Sequence, residues 1–94
     1  KKAVEEMFSI ETDKSKILRS ILRLLLQRPR TTKEIVEELS KSEPITYSMV
    51  YNSLYSLRRR GLVRSVRPPL HRYVVWMVNE RYAEALRKLL AGSG

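Results

Sequence analysis

Apolar residues recur with a helical period along the first sixty residues and then switch to strict alternation. Val4, Met7 and Phe8 share one side of a short helix expected over Lys1–Ile10. "ETDKSK" interrupts it, and Thr12 or Asp13 is placed to accept hydrogen bonds from the free amides of the next helix. That helix spans about Lys14 to Gln27, with Ile17, Leu18, Ile21, Leu22, Leu24 and Leu25 on its apolar side. So wide a face predicts a central helix, or one shared with a second subunit. Pro29 disfavours helical geometry at Arg28 and ends it.

"TTKE" is a capping box, with Thr31 serving the Glu34 amide and Glu34 reaching back. The helix it opens runs to about Ser40, with Ile35, Val36 and Leu39 inward, and "KSEP" turns the chain. Thr46 caps a third helix to Arg60, flanked by Ile45 and Val50 at the two hydrophobic-staple positions. Gly61 suits the left-handed terminating position, and Leu62 follows to pack back. "LVRSV" and "RYVVWMV" then alternate as two strands. The prolines of the intervening "RPPLH" preclude ladder bonds there. Asn79 caps a last helix whose apolar residues are Tyr82, Ala85, Leu86, Leu89 and Leu90.

The order is helix, helix, helix, strand, strand, helix. It predicts a mainly α fold with a small β-hairpin wing, the winged helix-turn-helix plan. Ninety-four residues make a single domain, 1–94, with an N-terminal extension over 1–13 and a core over 14–90.

Charge sharpens this picture. The formal net charge is +9. From Pro44 to Asn79 there are six arginines and no Asp or Glu, so two thirds of the excess sits in one region. That placement is the electrostatic footprint of a protein that meets a polyanion. A solvated basic surface explains the total charge, but not where it lies.

On a helical wheel turning ~100° per residue, Val50, Leu54, Leu57 and Gly61 form the buried ridge of the third helix. Ser48, Asn52 and Arg59 lie opposite, with Tyr51 and Tyr55 toward one flank and Ser56 toward the other. Hydroxyls, an amide, tyrosines and arginines on such a face suit phosphates and base edges in a major groove. The bland reading makes Tyr47, Tyr51 and Tyr55 a hydrophobic stripe against the wing. Burial is expected for Tyr47 and exposure for Tyr55, with Tyr51 open. The macrodipole favours cations at a helix C-terminus by ~0.3–1 kcal/mol each. It thus explains one or two of Arg58, Arg59 and Arg60, but not the continuation through Arg64, Arg67 and Arg72.

The expected site follows. Ser48, Tyr51, Asn52 and Tyr55 meet base edges from the helix over 46–60. Arg58, Arg59, Arg64, Arg67 and Arg72, with Ser56, position the duplex, the wing over 62–77 reaching backbone or minor groove. His71, the only histidine, is a phosphate neighbour or a plain loop residue.

"MVYNSLYSLRRRGLV" followed by "HRYVVWMVNERYAEALRKLL" resembles the PadR-like branch of winged-helix regulators. Tyr51, Leu54, Leu57, Gly61, Leu62 and Val63 match its recognition-helix motif, and Arg72-Tyr73 its second wing strand. The resemblance covers about Lys14 to Leu90. It implies a homodimeric protein that binds double-stranded DNA, usually a repressor. Arg58, Arg59 and Arg60 depart from the acids usual in that family and imply a heavier grip on the backbone. The last helix is short for the family, which shifts dimer contacts toward the N-terminal segment and first helix. Some archaeal plasmid partition proteins that bind centromere DNA resemble this family too.

No cysteine is present, which excludes disulfides and thiolate metal sites. No cofactor is expected, and neither a phosphate loop nor a metal cluster points to an enzyme. Glu34, Glu37 and Glu38 read as a solvated face. The run Ile17–Leu26 is interrupted by Arg19, Ser20 and Arg23, so no membrane span is expected, and cytoplasmic location is the default. Scarce Asn and Gln beside abundant Arg and Leu suggest a heat-adapted source. The rival functions are a winged helix used for protein docking and non-specific architectural DNA binding.

Overall fold

The computed structural model describes residues 13–92. The helix expected over Lys1–Ile10 and the cap at Thr12 lie outside them. The elements are α1 (Asp13–Gln27), β1 (Arg30–Thr31), α2 (Thr32–Leu39), α3 (Tyr47–Arg59), β2 (Val63–Val66), β3 (Val75–Val78) and α4 (Glu80–Gly92). The chain adopts the winged-helix fold, mainly helical with a small antiparallel sheet.

The core is one cluster in which Ile21, Leu22, Ile35, Leu54, Leu57, Leu62 and Leu86 are fully buried. α1 is the central helix, packed on α3, α4 and β3. Each fully buried leucine or isoleucine contributes about 1.5–3 kcal/mol. Val50, Leu54 and Leu57 together therefore outweigh any preference of the polar residues and decide which face of α3 turns outward.

The local signals act as their chemistry requires. Thr31 Oγ1 accepts from the Glu34 amide at 3.2 Å, and Glu34 Oε1 accepts from the Thr31 amide at 2.9 Å. Thr46 Oγ1 accepts from the Met49 amide at 3.2 Å. Gly61 has φ 78°. Around it the Leu62 amide donates to the Leu57 carbonyl at 3.0 Å and the Gly61 amide to the Arg58 carbonyl at 2.9 Å. This is the Schellman pairing, and Leu57 and Leu62, which it brings together, are both buried in the core cluster. Asn79 joins the two ends of the wing. Its Nδ2 donates to the Gly61 carbonyl at 2.9 Å, its backbone amide to the Leu62 carbonyl at 2.9 Å, and its Oδ1 accepts from the Arg81 amide at 3.1 Å.

Two features differ from the sequence reading. The sheet has three strands in the order β1-β3-β2, not two. Arg30 pairs with Trp76 and Thr31 with Val75, a two-residue strand too short and polar to show in a periodicity. Arg30 is buried there, its Nε donating to the Leu24 carbonyl at 3.2 Å and its Nη2 to Gln27 Oε1 at 2.8 Å. It closes the end of α1, where a cation complements the helix dipole. The last strand also starts at Val75 rather than Arg72. Beyond Val75 neither neighbour continues, because Thr31 turns into α2 as its cap and Val66 is followed by Arg67-Pro68. Arg72, Tyr73 and Val74 are left in the wing loop.

Candidate nucleic-acid interface

The buried ridge of α3 leaves Ser48, Tyr51, Asn52, Tyr55, Arg58 and Arg59 exposed, while Ser56 is half-buried at the flank. Tyr47, for which the wheel predicts burial, is 56% exposed. It is the first residue of α3, and the apolar edge it would fill is taken by Ile45 and Val50. Its ring lies over Tyr51 instead, with centroids 6.2 Å apart and planes 18° from parallel.

The tyrosines continue as a ladder. Tyr51 meets Tyr55 edge-on at 4.8 Å, and the Tyr51 hydroxyl donates to the Tyr55 hydroxyl at 3.2 Å. That bond raises the Tyr51 pKa above the ordinary phenolic value and lowers that of Tyr55, with the Arg58 guanidinium adding to the lowering. Tyr55 meets Trp76 edge-on at 6.3 Å. The Arg58 guanidinium lies 4.7 Å from the Tyr55 ring centre and 5.9 Å from that of Trp76. Its Nη1 donates to Ser65 Oγ at 2.9 Å. Arg58 thus spans from α3 to the wing while remaining exposed.

These side chains form one wall of an open groove of about 900 Å³ between α3, the start of α2 and the wing. Arg67, Arg72 and Tyr73 line the wing side, and Lys33 and Glu34 the α2 side. Trp76, nearly fully buried, lies at the groove, its indole N–H donating to Thr32 Oγ1 at 2.9 Å. Among the described residues no carboxylate pairs with Arg58, Arg59, Arg64, Arg67 or Arg72; the ion pairs present lie elsewhere, Glu34 with Arg28, Glu38 with Lys41 and Glu84 with Lys88.

The fold therefore brings Tyr51, Tyr55, Arg58, Arg67 and Arg72 together around one groove. Ser48, Asn52 and Arg59 are exposed on α3 but do not line it. Arg64 is exposed opposite Met77 in the ladder, and strand alternation puts it on the other face from Ser65. His71 is exposed in the loop beside Tyr73, with ring centres 4.8 Å apart. Lys33, Tyr73 and Trp76 are groove residues that the sequence pattern does not single out. Lys33 carries one usable signal, its place in the first turn after the capping box; Trp76 joins the groove through strand pairing, and Tyr73 through the wing loop that precedes β3.

The arrangement offers charge for phosphates, hydroxyls for base edges and ring faces for stacking. Among the described residues no three His, Cys, Asp or Glu side chains gather as a metal site, and no helix is long and apolar enough to cross a membrane.

Comparisons with known proteins agree with this fold. Residues 14–65 match the arsR family of bacterial regulatory proteins. No curated protein sequence matches. Among solved structures, the zinc-responsive MarR family member ZitR of Lactococcus lactis superposes with a TM-score of 0.68 at 27% identity, over 81% of this chain and 50% of that one. A ZitR mutant in complex with DNA gives a TM-score of 0.67 at 25% identity, over 80% and 49%. The complex structure of hsRosR-S4 gives 0.75 at 20% identity, over 95% and 76%, a likeness of fold. The chain spans about half the length of the ZitR chains it matches.

Proposed function

The chain belongs to the arsR family of bacterial regulatory proteins, and on that premise we propose that it is a homodimeric repressor of transcription that binds double-stranded DNA. The observation that carries this reading is the guanidinium set of Arg58, Arg67 and Arg72, without carboxylate partners, around one tyrosine-lined groove between α3 and the wing. Ser48, Tyr51, Asn52 and Tyr55 meet base edges as α3 enters the major groove. A phosphate strand passes through the groove between helix and wing, held by Arg58, Arg67 and Arg72. Arg59, Arg64, Ser56 and His71 touch flanking backbone, which carries no base information. Tyr47 and Lys33 join them at the duplex.

Half-buried leucines on α1 (Leu24 and Leu26) and α4 (Leu89) supply the apolar surface for a dimer, together with the N-terminal segment. Two subunits then present their α3 helices about one DNA turn, ~34 Å, apart on a near-palindromic site. The finer likeness to PadR-like regulators rests on Tyr51, Leu54, Leu57, Gly61, Leu62 and Val63. A cytoplasmic location fits a DNA-binding regulator.

The test is selection of bound duplexes from random DNA, followed by a salt titration of binding to the selected and a scrambled site. A recovered inverted repeat with a steep salt slope supports the proposal. Substituting Arg67 or Arg72 by alanine is expected to lower the slope of log K against log salt by roughly 0.9 for each phosphate that is no longer neutralised. Equal affinity for both duplexes would convert the reading to architectural binding. Absence of binding to any duplex at low salt would replace it with protein docking.

A further inference from the structure

The tip of the wing holds a residue that neither charge nor packing explains. Leu70 is fully exposed. Its φ of 72° is the one positive value at a non-glycine residue among the described residues. The His71 amide donates to the Pro68 carbonyl at 3.2 Å, closing a four-residue turn. Proline at the second position and positive φ at the third are the pattern of a type II turn, whose third position calls for glycine or asparagine. A leucine there accepts an unfavourable backbone conformation and returns no buried apolar area within the chain. Such an outlier, held by two neighbouring prolines, points to a use outside the fold.

Resting on the proposed binding of duplex DNA, we infer that Leu70 is an apolar wedge: it enters the minor groove beside the site met by α3, partly unstacks one base step and bends the duplex. Three observations agree. Leucine is among the side chains that serve as minor-groove wedges. Pro68 and Pro69 stiffen its support, so little chain entropy is lost as it inserts. Arg67 and Arg72 flank it with exposed charge that no carboxylate neutralises, which places cations near phosphates on either side of an inserted tip. The wedge makes no base hydrogen bond. Its preference falls on a step that unstacks readily, TpA above all.

The experiment uses the full chain and the duplex recovered by the selection described above. 2-Aminopurine replaces each flanking adenine in turn, and a donor–acceptor pair labels the two ends. The native chain is expected to raise 2-aminopurine emission at one TpA step and to shorten the end-to-end distance by a bend within about 20–90°. Leu70→Gly and Leu70→Asn suit the turn better than leucine does, so they fold. They are expected to bind with an unchanged salt slope and to lose both signals, whereas Leu70→Met retains them. A straight duplex with silent 2-aminopurine under the native chain overturns the wedge and leaves DNA binding standing. So does an undiminished bend with Leu70→Gly. Failure to recover any duplex removes the DNA reading and the wedge with it.

Discussion

Arg58, in the last turn of α3, donates through Nη1 to the hydroxyl of Ser65 in β2 at 2.9 Å. Helix and wing are thereby tied by one exposed hydrogen bond, with the guanidinium resting on Tyr55 and Trp76. Removing the acceptor alone with Ser65→Ala is expected to cost about 0.5–1.5 kcal/mol in urea unfolding. It leaves the charge of Arg58, so the salt slope of DNA binding stays as it was. Arg58→Ala removes both, and its slope falls. Identical slopes for the two variants would show that Arg58 braces the wing without touching phosphate.

The tyrosine pair is expected to make DNA binding sensitive to alkali. Tyr55 accepts a hydrogen bond from Tyr51 and faces Arg58, so it ionises below the ordinary phenolic pKa of 10.0. A phenolate beside phosphate is repelled, so affinity is expected to decline as pH rises through the lowered value. Tyr51→Phe removes the donor and moves that decline to higher pH. Tyr55→Phe abolishes it. The decline is read from DNA affinity against pH, and the ionisation from phenolate absorbance. An alkaline limb unchanged in Tyr51→Phe would rule out the hydroxyl pair as its source.

Thr32 holds the indole of Trp76 from 44 residues away in sequence. Thr32→Val preserves shape and removes the acceptor, leaving a buried N–H unpaired at a cost of about 1–3 kcal/mol. Trp76→Ala also empties the space of the ring, and about 3–5 kcal/mol is expected. Trp76 is the only tryptophan, so denaturation followed by its fluorescence reports the threonine variant directly; circular dichroism serves for the other.

Gly61 separates conformational cost from steric cost. A Cβ built there meets no atom within 4 Å, yet φ is 78°. Gly61→Ala is therefore expected to destabilise by roughly 1–2 kcal/mol through the backbone alone. Gly61→Asn costs less, because asparagine tolerates the left-handed region. Equal losses for the two would mean that something other than φ selects glycine.

Much of this molecule can be read from neighbours along the chain. The Thr31–Glu34 box, the Thr46 cap, the Gly61 stop and the Asn79 start each act over at most five residues, so their chemistry shows in short stretches of sequence. The ridge of Val50, Leu54 and Leu57 does the same for the outward face of α3, because side-chain direction follows helical period. The acid-free span from Pro44 to Asn79 assigns the positive charge to that helix and the wing without any coordinates.

The groove itself has no such signature. It exists because β3 lies between β1 and β2, which sets Trp76 against Arg30 on one side and Ser65 on the other. That pairing brings the start of α2 and the wing to the tyrosine face of α3, joining residues more than forty positions apart. Tyr47 departs from its wheel position because Ile45 and Val50 pack at the core edge where the wheel places it. Amino-acid order thus dictated the helices, their ends and the sign of the surface, since those depend on forces acting within a turn or two. Which rings stack, which arginines converge and where Leu70 projects were settled by folding, since they depend on distances that only packed elements define.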